Sequence, residues 1–177
     1  MKQIPLYSLV IFPTIEQQIL IQSFKKSLKE KIGWFGSSNS DAHITIINLE
    51  NELTLGLYLN QIKVFFTTIN PQKVRFNSFN SFGYSTFFIS PDEKSQQYLN
   101  NIIIDIHKSI GFDIKSAHAH MTIARGLDTE RMKKAQEQFS LTEINFEFIC
   151  NCIHIRKFNE KTKQYSDIEE VIYFTKE

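Results

Sequence analysis

Two short strings hold the residues of this chain best suited to chemistry: His43-Ile44-Thr45, within AHITII, and His120-Met121-Thr122, within AHMTIA. Both lie in runs that alternate polar and apolar residues, the pattern of a half-buried strand. Residues i and i+2 of a strand share a face, so each string presents an imidazole and a hydroxyl on one side. Neutral imidazole accepts a proton near neutral pH, and imidazolium donates one. Two such strands facing one cleft would supply a base for water or a ribose hydroxyl and an acid for a departing oxygen. The two threonines would donate to non-bridging phosphoryl oxygens as charge builds there. That set can act on a phosphate ester with no metal and no cofactor, and none is expected.

Other candidates lie close by. Arg125 offers a bidentate fork to phosphate, but it follows Thr122 by three residues. An ideal strand would turn it to the opposite face, so it contributes only if the strand ends or twists near Gly126. His118 precedes His120 by two and shares its face if the strand has begun. Tyr7 and Tyr84 stand at equivalent strand starts. Like Trp34, they are candidates for lining the cleft and stacking on a base.

The elements that must position these residues occur twice. YSLVIFP (Tyr7 to Pro13) and STFFISP (Ser85 to Pro91) are offset by 78, and the two His-x-Thr strings by 77. The helix starts that follow them, Asn51 and Asp128, are also 77 apart. Agreement of this kind predicts two copies of one β-α-β-α-β unit. Thr14 caps a first helix whose apolar stripe reads Ile15, Ile19, Leu20, Phe24, Leu28 and Ile32. Asp92 starts its counterpart, with Leu99, Ile102, Ile103, Ile106 and Ile110 as the stripe. Gly33 and Gly111 stand where these helices should stop. Further strands are predicted at 74–79, 145–152, 153–156 and 171–175, with 80–84 connecting the two lobes.

Composition sets bounds. A chain of 177 residues, 42% hydrophobic and with sixteen phenylalanines, fits one domain with a sizeable core. A formal net charge of +1 gives no global argument for nucleic acid. The apolar run from Ile4 to Phe12 reads as the first strand rather than a signal peptide. No run reaches the length of a membrane span. Cys150 and Cys152 read as thiols on one face of one strand in a reducing compartment.

The paired strings, each followed by an apolar residue, resemble the 2H phosphoesterase superfamily, in its bacterial 2′-5′ RNA ligase and cyclic phosphodiesterase branch. The string His120-Met121-Thr122-Ile123-Ala124-Arg125 is especially similar to that branch's second motif. Trp34-Phe35, the stretch from Phe79 to Phe82 and the strand after Tyr165 also sit where the family places similar segments. The resemblance implies that His43 and His120 are the acid and base, the second activating the nucleophile and the first protonating the leaving oxygen. It implies that Thr45 and Thr122 hold the phosphate. The first string has Asn48 where an arginine would match Arg125, so the pocket is expected to be asymmetric.

The fold expected is α+β: a single bilobal domain over 1–177, with lobe 1 at about 1–81, lobe 2 at about 82–177 and a closing strand at 171–175. Two antiparallel sheets should face a central cleft, with helices outside. The function expected is metal-independent phosphodiester chemistry on 2′,3′-cyclic phosphates or 2′-5′ linkages of nucleotides or RNA, in a cytoplasmic protein without membrane contact and favoured as a monomer. The alternatives are a non-catalytic RNA-end or nucleotide-binding module and a hydrolase of a small non-nucleotide phosphoester.

Overall fold

The helix starts follow the capping residues. The computed structural model describes residues 4–175, and 1–3 and 176–177 lie outside that description. Thr14, Asn51, Asp92 and Asp128 each accept a hydrogen bond from the backbone N–H three residues on, satisfying a donor that the first helical turn leaves open. They open α1 (Ile15–Ile32), α2 (Glu52–Thr67), α3 (Glu93–Ser109) and α4 (Thr129–Phe139). Gly33 ends α1 with φ 78° and Gly111 follows α3 with φ 86°, conformations that a glycine adopts without steric penalty. None of the described helices is long and apolar enough to cross a membrane.

The predicted stripe of α3 is the buried one. That of α1 is not. Ile15 and Ile19 are each 66% exposed, and the inward line is Ile21, Lys25 and Leu28. The helix turns a lysine inward because carbonyl oxygens await its amine there, as described below.

Among the described residues, eight strands complete the fold: β1 (Tyr7–Ile11), β2 (Ile44–Leu49), β3 (Gln72–Phe82), β4 (Thr86–Pro91), β5 (Met121–Arg125), β6 (Phe146–Cys150), β7 (Cys152–Asn159) and β8 (Gln164–Tyr173). The expected inter-lobe connection at 80–84 is shorter than predicted. Asn80 and Phe82 still pair with Phe88 and Thr86, which leaves the turn to Gly83, at φ 51°, and its neighbours. The closing strand likewise begins at Gln164 rather than at 171, because Asn159 to Asp167 forms the tip of a hairpin with β7.

The strands form one antiparallel sheet in the order β6-β3-β4-β5-β2-β1-β7-β8. Two separate sheets were the expectation. The halves β6-β3-β4-β5 and β2-β1-β7-β8 are instead joined into one by a single residue pair, Ile44 with Met121. The sheet is strongly curled. β6 and β7 stand six places apart, roughly 29 Å in a flat sheet, yet Asn151 alone separates Cys150 from Cys152 along the chain. The two halves therefore fold back toward each other. The cysteines correct a further expectation. They sit on different strands in different halves, and both are free.

One face of the sheet, with Tyr7, Leu9, Ile11, Ile44, Ile89 and Met121, joins the buried sides of all four helices in one apolar cluster. Phe24, Phe79, Phe87 and Phe139 pack edge and face within it. Val10 and Phe88 are also buried but stand outside that cluster. Each is the strand partner of a motif threonine, Val10 of Thr45 and Phe88 of Thr122. The face opposite the helices is thus the one that carries the two strings.

Candidate active site

The single bridge between the halves is also the centre of the site. Ile44 pairs antiparallel with Met121. Extending that register by one residue sets His43 across from Thr122 and Thr45 across from His120. Residues directly opposite have Cβ atoms about 5 Å apart, and diagonal neighbours about 7–8 Å apart. By that register the two imidazoles are diagonal across the bridge.

Both rings are held in the same way. His43 Nδ1 lies 2.6 Å from the Asp41 carbonyl oxygen, and His120 Nδ1 lies 2.7 Å from that of His118. A carbonyl only accepts, so each Nδ1 carries the proton and donates it. The tautomer is fixed, and each Nε2 is left as the free, basic nitrogen.

The backbone entering each histidine is pinned by the helix before it. Gln22 of α1 donates to the Ser38 carbonyl. The Lys25 amine, only 1% exposed, donates to the carbonyls of Ser37 and Ser40 at 3.1 and 2.7 Å. In the second unit, Gln96 of α3 donates to the Ala119 carbonyl, and Asn100 accepts from the Ala119 N–H. Burial pushes Lys25 down to about 8, against the pull of Asp41. Ser37 ties the two strings together by donating to the Ile123 carbonyl at 2.9 Å.

That carbonyl belongs to a β-bulge. The β4–β5 register shifts between Phe87 and Phe88, so Ile123 is the extra residue, Thr122 faces Phe88, and Arg125 faces Thr86. A bulge restores the face that a three-residue step would lose. Arg125 therefore shares the side of Thr122, the twist that the sequence left conditional. The first string has the same device: β1–β2 shifts between Leu9 and Val10, so Asn48 shares the side of Thr45. Arg125 is exposed and borders Gly36, where an added Cβ would come 3.6 Å from its Nε.

The remaining candidates separate. His118 lies beside the site, its ring 6.4 Å from that of His120 and 5.1 Å from that of Phe82. Tyr7 does not line the cleft. It is buried on the helix-facing side, under the Lys157 ammonium, because odd positions of β1 point to the core. Tyr84 lies in the exposed β3–β4 turn and Trp34 in the exposed segment after α1. Beyond His118 and the Phe79 to Phe82 stretch, Phe88 and Phe12 also flank the histidines and are not among the sequence candidates. Phe82 and Phe88 each stand 5.0 Å from the His120 ring. Phe12 stands 6.4 Å from the His43 ring and 4.8 Å from that of His154. Arg156 faces the same side through its pairing with Ser8.

The electrostatics favour an anionic guest. Desolvation, followed by the charge of Arg156, pushes His43 down to about 3, and desolvation with the nearby His118 lowers His120. Both rings are therefore neutral at neutral pH. A histidine whose value is depressed by folding stabilises the fold fully above its unfolded value, about 6.5, and that contribution fades as pH falls toward the folded value. Wild type is therefore expected to lose its stability margin over His43→Gln as pH drops from 7 to 4, read as the difference between their thermal midpoints. A difference that stays constant over this range would mean that burial does not disfavour the imidazolium.

The 2′-5′ RNA ligase superfamily matches residues 12–162. The chain belongs to this superfamily. The 2′-5′ RNA ligase superfamily match spans both strings and most of the sheet, in line with the 2H phosphoesterase resemblance. Solved structures share the fold at low identity. One titled a phosphoesterase has a TM-score of 0.62 at 12% identity, over 97% of this chain and 99% of that one. E. coli LigT complexed with 3′-AMP has a TM-score of 0.59 at 11% identity, over 97% and 98%. The same protein complexed with NADP+ gives 0.61 at 12%, over 97% and 99%. No curated protein matches the sequence.

Proposed function

We propose that this protein is a phosphodiesterase that opens 2′,3′-cyclic phosphates or cleaves 2′-5′ linkages of nucleotides or RNA by paired histidine acid–base catalysis, without a metal ion. The observation that carries this reading is the matched pair of Nε2 atoms, one from each repeat, each with its Nδ1 tied to a backbone carbonyl. Membership of the superfamily supports the phosphoesterase or ligase class, and the nucleotides in the titles of the LigT complexes support the substrate class.

In hydrolysis, one Nε2 takes a proton from water as its oxygen bonds to phosphorus. The bond from phosphorus to one ribose oxygen breaks, and the other histidine, protonated, delivers its proton to that oxygen. The product is a phosphomonoester, and the two histidines have exchanged protonation states until solvent resets them. By the superfamily resemblance, His120 takes the proton and His43 delivers one. Thr45 and Thr122 donate to the non-bridging oxygens, and Arg125 lies on their face to balance the anionic charge.

The test is a panel of 2′,3′-cyclic mononucleotides, RNA ending in a cyclic phosphate, and 2′-5′ dinucleotides, incubated with EDTA and resolved by chromatography. At least one is expected to be turned over with the chelator present. Failure on all of them would leave a binding module or a hydrolase of a small non-nucleotide phosphoester, and loss of turnover with EDTA would show that a metal takes part.

A further inference from the structure

Arg156 is only 4% exposed, and among the described residues no carboxylate lies within ion-pair distance of it. Its Nη2 reaches Ser8 Oγ at a long 3.5 Å, and its Nε has no partner. The guanidinium lies 5.4 Å from the ring centres of both Phe12 and Tyr165. Two residues back on the same face of β7, His154 Nδ1 is also buried and unpartnered. A buried cation and an adjacent buried ring nitrogen, both unsatisfied, are costly to fold unless a ligand completes them.

Their place distinguishes them from the pocket between the histidines. β1 lies between β2 and β7, and Phe12, just past the end of β1, packs its ring against those of both His43 and His154. Arg156 is two strands from the Thr45 line, about 10 Å. The repeat sharpens the contrast. In the second unit the cation, Arg125, is on the motif strand itself, and the residue two strands out, paired with Thr86, is Phe82. In the first unit the motif strand has Asn48, and the residue two strands out, paired with Ser8, is Arg156. The site therefore has an aromatic wall beyond His120 and a cationic wall beyond His43.

We infer that Arg156 and His154 form a second anion subsite, which takes a phosphate one sugar–phosphate unit from the reacting one. This rests on the function proposed above and deepens it, because the preferred substrate then has two phosphates. The second is either the 5′-phosphate of the same nucleoside or the next internucleotide linkage.

Adenosine 2′,3′-cyclic phosphate, its 5′-phosphorylated form and a diadenosine ending in a 2′,3′-cyclic phosphate separate these sources. Wild type is expected to favour at least one two-phosphate probe in kcat/KM by about ten- to a hundredfold, the scale of a charge-assisted contact. The probe preferred identifies the source. Arg156→Met should lower turnover of that probe furthest and collapse the preference, and Arg156→Lys should retain part of it. Equal wild-type rates on all three probes, or an equal loss on all three in Arg156→Met, would overturn the subsite. The wild-type comparison stands even if Arg156→Met fails to fold. If wild type turns over none of the probes, the cyclic-phosphate reading fails on its own, and calorimetric titration decides the subsite. Tighter wild-type binding of a two-phosphate probe upholds it, and equal binding of all three overturns it.

Discussion

Replacing either motif histidine with glutamine is expected to lower kcat for a 2′,3′-cyclic phosphate by about 10²–10⁴, the usual worth of a positioned proton-transfer group. Glutamine fills similar space and can keep a hydrogen bond to the Asp41 or His118 carbonyl, so the far-UV circular dichroism and unfolding midpoint should change little. The two losses should not multiply. Once one proton cannot move, removing the other transfer adds little, as in other catalytic sets that act as a unit. Initial rates for the two single variants and the double variant are the measurement. A double variant slower than wild type by the product of the two single effects would mean that the histidines work independently. A loss below fivefold for both singles would remove them from the chemistry.

The second large effect concerns the hydroxyls. Thr45→Val and Thr122→Val are each expected to reduce kcat by about 10²–10³, with a smaller change in KM, because a donor aimed at developing charge matters most in the transition state. Thr→Ser at either place keeps the donor and should restore most of the rate. The cross-strand register makes a finer demand. Each threonine is opposite the histidine of the other repeat, so losing either one affects the same phosphorus centre, and the two variants should resemble one another. A rise in KM alone would mean that these hydroxyls bind ground state and transition state equally.

Much of this was legible in the sequence, for identifiable reasons. Thr14, Asn51, Asp92 and Asp128 act as caps because their side chains compete for backbone N–H groups wherever they stand. The stripe of α3 is uninterrupted, so it could be read directly. In α1 the inward face includes Lys25, and hydrophobicity alone points to Ile15 and Ile19 instead. Turn carbonyls 12 and 15 residues ahead satisfy the buried amine, a pairing that an apolar period does not reveal. The bulges hid Arg125 and Asn48, since a period of two fails wherever one residue is inserted. The equal step from Thr45 to Asn48 and from Thr122 to Arg125 was the available signal. Arg156 left little trace, because its role depends on β7 lying beside β1, a pairing that spans almost the whole chain.

The exchange of outer strands has a consequence for the origin of the chain. The strand that follows α2 pairs with the first strand of the second repeat, and β7, after the second repeat, pairs with β1. Neither repeat can complete a sheet from its own strands. A single-copy forerunner would have needed a twin, each lending its last strand to the other, and fusion of the two genes would have made that partnership permanent. Within one chain the two copies can then differ at matched places, as they do at Arg125 and Asn48.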